Sequence, residues 1–170
     1  MIESVFFEPL ALSHTDELAL LFLNEPVYRY IGGQPPSREQ FSQGMCRAMA
    51  GPPPSRAADE WVNYAVRRVS DNVLLGRLEA TVHDGIAEVA FLFGQHYWGM
   101  GYATEGLLWL HRQLHARPSP PALWATTVPE NHRCQALLRR CGYSVATDQR
   151  PSRLVTYDDG DLVFRGPSAV

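Results

Sequence analysis

The sequence lacks the marks of several functional classes. Its three cysteines, Cys46, Cys134 and Cys141, are either far apart or separated by seven positions, which fits neither a zinc spacing nor an even set of disulfides. They read as free thiols of a reducing compartment. Positive charge is not in excess: fifteen basic against eighteen acidic side chains leave a formal charge of −3, which gives no sequence-independent grip on nucleic acid. No apolar run reaches membrane-spanning length, and Met1-Ile2-Glu3-Ser4 has neither the basic start nor the apolar core of a signal peptide. The expectation is a cytoplasmic protein with no membrane or nucleic-acid partner. His111 and His115 are four apart on a helical pattern, but no Glu follows His111 as in a zinc-protease motif and no third ligand is evident. They are expected to be surface or half-buried side chains, and no metal is expected.

What is present is ordinary globular material, 45% hydrophobic and 19% charged, in a length that suits one domain over 1–170. The chain is organised around Ile86 to Ala116. Val89-Ala-Phe-Leu-Phe93 is an apolar run of strand length ended by Gly94, whereas Ala103, Leu107, Leu108, Leu110 and Leu114 recur at helical spacing. Between them lies Trp98-Gly-Met-Gly-Tyr-Ala103. Two glycines one residue apart allow a tight turn that aims several bare N–H groups at one point of a helix start, a fit for phosphate oxygens. The turn is neither a Walker loop, because no Gly-Lys-Ser/Thr follows, nor a dinucleotide fingerprint, because no third glycine stands three residues after Gly101.

The remaining elements follow from local signals. Val5 to Leu12 predicts a strand, and the capping-box spacing Ser13-His-Thr-Asp16 predicts a helix from His14 to Leu23. Asn24-Glu25-Pro26 stops it, and Val27 to Ile31 is too short for more than one turn or an extended link. Ser37-Arg-Glu-Gln40 opens a second helix with Phe41, Met45, Ala48 and Met49 on one side, and Gly51-Pro-Pro-Pro54 ends it. Gly51 to Ala58 reads as a surface loop. Trp61 to Val69, Val73 to Val82 and the strand of the central segment predict a three-stranded meander, with Gly76 marking a bulge or a close backbone approach. Leu123 to Val128 predicts a further strand, Pro129-Glu130-Asn131 a helix start and Gly142 its stop. Val155-Thr-Tyr157 and Leu162-Val-Phe164 around Asp158-Asp159-Gly160 predict a closing hairpin.

The pairing of Trp98-Gly-Met-Gly-Tyr-Ala-Thr-Glu105 with a strand ending at Val128, Asn131, and Cys141-Gly142-Tyr143 resembles the GNAT superfamily of acetyl-coenzyme A dependent N-acetyltransferases. The closer likeness is to the RimJ/RimL-type branch, and the stretches from Asn24 to Tyr30 and from Leu75 to Glu79 agree with it. The resemblance runs from about Val5 to Thr147. It implies an α/β fold with a mixed, twisted, mostly antiparallel sheet, splayed between two central parallel strands and flanked by about four helices. Acetyl-coenzyme A is the implied co-substrate, with an amine acceptor that is a small molecule or a protein N-terminus. Gly99, Met100, Gly101, Tyr102, Ala103 and Thr104 would hold the pyrophosphate, and Phe91, Leu92 and Phe93 would run beside the pantetheine arm. Trp98, Asn131 and Cys134 complete the implied cofactor site, and Asn131 is equally suited to cap its helix. Trp98 stands where the superfamily has Gln or Arg, Cys134 where the branch has Ser, and Leu138 where many members carry a proton-donating Tyr.

Transfer from a thioester to an amine needs a neutral amine, donors for the oxyanion and an acceptable leaving thiol. Glu88, a carboxylate in an apolar strand, is the candidate base on the ground that partial burial raises its proton affinity; the structural alternative is pairing with a neighbour such as Arg77. Glu105 complements the helix dipole, and Tyr143 is either a proton donor or a core aromatic. The competing classes are a non-catalytic acyl-coenzyme A binding module, suggested by Leu138, and a nucleotide-binding α/β protein. A homodimer is compatible with the sequence but not encoded in any visible motif.

Overall fold

The computed structural model describes residues 4–147 and 149–168. Seven strands form one sheet in the order β1-β2-β3-β4-β5-β7-β6. They are β1 (Val5–Pro9), β2 (Glu60–Arg68), β3 (Leu74–His83), β4 (Ile86–Phe93), β5 (Ala122–Thr127), β6 (Ser144–Val145) and β7 (Leu162–Arg165). Every neighbouring pair is antiparallel except β4 and β5. The helices are α1 (Thr15–Phe22), α2 (Glu25–Tyr28), α3 (Arg38–Ala50), α4 (Tyr102–His115) and α5 (His132–Arg140). This is the mixed α/β architecture expected, with the single turn of α2 added to the four helices.

Alternation along β2 to β5 divides the sheet into two buried faces. On one, Val66, Leu78, Ala80, Val89 and Phe93 pack against Leu107, Leu110 and Leu114 of α4 and Leu138 of α5. On the other, Ala65 and Leu74, with Leu92 at the margin, meet Leu18 and Phe22 of α1 and Phe41 and Met45 of α3. Each fully buried leucine contributes roughly 1.5–3 kcal/mol, so α4 is fastened mainly by Leu107, Leu110 and Leu114. Leu108 departs from the expected apolar stripe and is 40% exposed, because the helix turns it away from the sheet.

Local chemistry explains most boundaries. Ser37 and Gln40 form the capping box that opens α3, and Gly51, at φ 81°, ends it. Asp84 and Gly85, both at positive φ, make the two-residue turn between β3 and β4. The start of α1 differs from expectation. Ser13 caps nothing; the His14 ring accepts from the Ala11 N–H at 2.9 Å through Nδ1 and bonds Glu8 at 3.0 Å through Nε2, so a 3₁₀ turn at Leu12–His14 precedes the helix and β1 already ends at Pro9. Gly76 satisfies both readings made for it. The β2–β3 register shifts beside it, and a methyl group there would lie 2.2 Å from the Leu92 carbonyl oxygen.

The closing hairpin does not form as expected. Leu162–Arg165 is a strand, but it pairs with β5 and with the short β6, which local signals did not reveal. Val155 to Tyr157 is irregular because its backbone donors go to a side chain. The Glu88 carboxylate accepts from Val155 N at 2.7 Å, Thr156 N at 2.9 Å, Thr156 Oγ1 at 2.5 Å and His83 Nε2 at 2.6 Å. A buried carboxylate with that many donors outbids a strand partner for the same N–H groups.

Two substitutions test these packing claims. Gly76→Ala must push the β4 backbone away, and its unfolding free energy, from urea titration, should fall by about 2–3 kcal/mol; an unchanged midpoint would remove the close approach. Glu88→Gln should cost about 2–4 kcal/mol, since the bonds lost are charge-assisted. Burial alone would raise the Glu88 pKa, but the bonds from Thr156, Val155 and His83 outweigh it and leave the folded value below 4.5. The contribution of Glu88 is therefore complete above that unfolded value and is lost as pH falls through the folded one. The stability gap between wild type and variant should shrink as pH falls below about 4.5; a constant gap contradicts the assignment.

Candidate active site

Strands β4 and β5 pair only at Ile86–Ala122, Ala87–Leu123 and Glu88–Trp124. Beyond that third rung β5 continues to Thr127 against β7, and β4 continues to Phe93 against β3, but not against each other. Burial changes at the same place: Ala90, Phe91 and Leu92 are half-buried, whereas Ile86 to Val89 are sealed. The edge of β4 from Val89 to Phe93 thus offers backbone N–H and C=O groups without a strand partner, the form of edge that takes an extended polar chain as an added strand.

That edge leads into the glycine turn. Gly99 at φ 78° and Gly101 at φ 89° occupy the left-handed region, which a side chain enters at a cost of about 1–2 kcal/mol. Gly101 is the N-cap of α4 and offers no side chain to it, and the first intrahelical bond runs from Glu105 N to Gly101 O. The N–H groups of residues 99–104 consequently have no protein acceptor among the described residues. With the dipole of a fourteen-residue helix behind them, they form a cradle for an anion.

Arginines surround the cradle. Arg140 Nη1 lies 3.4 Å from Thr104 Oγ1, the Arg133 guanidinium stands 4.9 Å from the Trp98 ring centroid, and Arg68 is 5.7 Å from that of Tyr97. Trp98 therefore works as a platform rather than as a charge. Its Nε1 donates to the Phe93 carbonyl at 2.8 Å, which ties the turn to the end of β4. Met100 is 59% exposed at the tip, and Tyr102 packs edge-on against Tyr97. Across the split, Asn131 Oδ1 accepts from Cys134 N at 3.2 Å and so caps α5. The Cys134 thiol is held above its ordinary pKa, mainly by burial and despite a contact with Thr127, so it stays protonated.

The expected proton-handling residues have other partners. Glu88 is 1% exposed, and its pKa is lowered rather than raised, so the ground for choosing it as a base does not hold. Nor does it pair with Arg77, whose Nη2 is 2.5 Å from Glu79. Leu138 is sealed in the core. Tyr143 shares a 2.8 Å hydrogen bond with His111 Nε2, and burial drives its pKa upward, which makes it a core aromatic. His111 is buried, not superficial; burial, then His115 and Arg112, lower its pKa to about 4. Glu105 accepts from the backbone and hydroxyl of Ser4, anchoring the start of β1 to α4.

Sequence reasoning took Arg77 only as the alternative partner of Glu88 and did not place Glu79 among the site residues. Arg77 and Glu79 project from the β3 face that bears α3, opposite Leu92 and Ala90 in register, beside the part of β4 that has left β5. Their signal was visible: two ionisable residues two apart in an otherwise apolar strand must share a face. Tyr28 from α2 lies near both, and burial raises its pKa, against the Arg77 charge and with that of Glu79.

Residues 4–144 match the family model of the acetyltransferase (GNAT) domain. Solved structures with the same fold include an acetyltransferase from Agrobacterium tumefaciens str. C58, with a TM-score of 0.76, 19% identity and coverage of 98% of this chain and 92% of that one. Another is the acetyltransferase from Salmonella typhimurium that modifies the N-terminal serine of 50S ribosomal subunit protein L7/L12, at a TM-score of 0.75 and 15% identity over 96% of this chain and 94% of that one. A third is RimL, the ribosomal L7/L12 α-N-protein acetyltransferase, in complex with coenzyme A, at a TM-score of 0.74 and 14% identity over 96% of this chain and 93% of that one. At these identities the likeness is one of fold. No curated protein matches the chain. Since the family model spans most of the sequence, with the split sheet and the glycine cradle inside it, the protein belongs to the GNAT acetyltransferase family.

Proposed function

We propose that this chain, working as a single domain, is an N-acetyltransferase that moves an acetyl group from acetyl-coenzyme A to a primary amine. The observation that carries the reading is the continuity of an unpaired strand edge with a cradle of unbonded N–H groups. A pantetheine arm carries amides that can pair with such an edge, and a pyrophosphate suits such a cradle. The amides of residues 99–104 would take the pyrophosphate, with Arg133 and Arg140 adding positive charge near it. Phe91, Leu92 and Phe93 would flank the arm, and Asn131 can donate through Nδ2 while Oδ1 keeps the cap. The coenzyme supplies the acetyl group as a thioester.

The residues of the chain supply position and polarity. N–H groups on the free edge of β4 can stabilise an oxyanion, because desolvated backbone donors need no reorganisation. The amine must lose a proton before attack, and Glu79, a third exposed and next to the split, can accept it directly or through water. The amine nitrogen bonds to the carbonyl carbon, the carbon–sulfur bond breaks, and the sulfur departs as thiolate or takes a proton from solvent. Neither Leu138 nor Tyr143 presents a proton there. That observation also favours a second reading, a module that binds acyl-coenzyme A without transferring the acyl group.

Titration calorimetry with coenzyme A should give one site, and Gly101→Ala should weaken it by roughly tenfold through backbone strain at positive φ; no heat at millimolar coenzyme A would sink the reading. A thiol-release assay over an amine panel separates the two functions. The chain contains no lysine, so thiol release does not come from acetylation of its own side-chain amines. Binding without thiol release on any amine would leave the non-catalytic module.

A further inference from the structure

Arg77 is an incompletely satisfied cation. Among the described residues its Nη2 bonds Glu79 at 2.5 Å, its Nη1 has only the Met45 sulfur at 3.8 Å, and its buried Nε has no partner. A guanidinium presents five N–H donors, and leaving several of them in a half-buried site without oxygen acceptors is unfavourable. Arg77 lines a cavity of about 750 Å³ between α2, α3 and β3, together with Tyr28, Gln40, Gln43, Met45 and Arg47 among others.

The charge of this cavity is selective. Arg47 and Arg77 line it with Gln34, Gln40 and Gln43, and no carboxylate is among its lining residues. Glu79, bound to Arg77, stands two residues along the same face, opposite Ala90 in the part of β4 that has left β5; on the exposed side of the cavity Glu39 bonds the lining Gln43. An acceptor reaching the split through this cavity meets a carboxylate where its amine must sit and unsatisfied cationic donors immediately behind. A polyamine would set further ammonium groups against two arginines, a like-charge placement that counts against binding. An amine with a carbonyl or carboxylate oxygen on the neighbouring carbon meets both charges with opposite sign.

We propose that Arg77 and Glu79 select the acceptor: Glu79 receives its ammonium group and Arg77 the adjacent carbonyl or carboxylate oxygen, so that the substrate is an α-amino acid or a peptide N-terminus. The proposal rests on the N-acetyltransferase reading. Tyr28, kept protonated by burial, lines the same space and supplies a further hydroxyl donor. Arg77 does not touch the reacting atoms in this arrangement; it positions the acceptor and determines specificity.

The test compares kcat/KM for alanylserine, alanine, alaninamide, ethylamine and spermidine in wild type, Arg77→Met and Glu79→Gln. Wild type should prefer alaninamide to ethylamine and use spermidine poorly. Arg77→Met retains the apolar stem, and the alaninamide-to-ethylamine ratio should fall by about 10–100-fold through the KM of alaninamide, as expected for loss of a charged hydrogen bond. Glu79→Gln should reduce kcat/KM for every amine. Alanylserine and alanine separate a peptide end from a free amino acid, since preference for either supports the proposal. Spermidine as the best substrate, or a selectivity ratio that Arg77→Met leaves unchanged, would overturn it while the transferase reading stands. Coenzyme A binding with no thiol release from any of these amines would overturn both. Should Arg77→Met fold poorly, Arg77→Lys keeps the charge without the fork and should lose part of the same ratio.

Discussion

The carboxylate of Glu88 stands at the last rung on which β4 and β5 are still paired. On one side of it the sheet is continuous; on the other the two strands part, and the site begins. Its bonds to Val155 and Thr156 hold an irregular segment against the parting, and Thr126 of β5 donates to the Thr156 carbonyl at 2.8 Å. The segment thereby ties the far wall of the split to the near one. A buried charge with fewer donors would be a liability, whereas His83 and the Val155–Thr156 backbone and hydroxyl make it a bracket. His83 in turn reaches Asp84, and Asp84 reaches Arg153, so the bracket continues to the protein surface.

From that rung the two faces of the sheet take different duties. The face packed against α4 and α5 carries the cradle, the arginines near it and the unpaired edge of β4, all features that suit a long anionic ligand. The opposite face carries Arg77, Glu79, Tyr28 and the cavity beside α3, a space lined by two arginines with one carboxylate bound to Arg77. Two ligands approaching from opposite faces meet only where the strands have separated. Strand alternation makes this division automatic: Phe91 and Phe93 turn to one side and Leu92 to the other within three consecutive residues.

What the sequence made legible was whatever is encoded within a few residues. The glycine turn, the caps at Ser37 and Asn131, the stop at Gly142 and the close approach at Gly76 depend on backbone geometry that one or two residue types dictate. The core face of α4 was legible as a period, apart from Leu108, which lies at its margin. Contacts between distant segments were not legible. Three of the four donors to Glu88 come from sixty-seven and sixty-eight positions away, and they erased a hairpin that local turn chemistry favoured. His14 displaced Ser13 as a cap because Glu8, on a different element, holds its other nitrogen. Arg77 and Glu79 were visible as a pair on one face, but their importance depends on a cavity that only the packing of α3 creates.

In the proposed transfer, Leu138 and Tyr143 bear on how the sulfur leaves. A phenol at position 138 would need a polar outlet, yet Leu138 is surrounded by the core that fastens α4 to α5. Tyr143 shares its hydroxyl with His111, where burial holds both groups uncharged. Departure as thiolate is the simpler route on energetic grounds. A free thiol ionises near 8.5, so at a pH about one unit lower the uncatalysed penalty is about 1.4 kcal/mol. Burying a phenol without a partner costs about 1–3 kcal/mol of stability, which is of the same size. A fold that seals this position with leucine therefore gives up little rate, and it gains a dry junction between the two helices that frame the site.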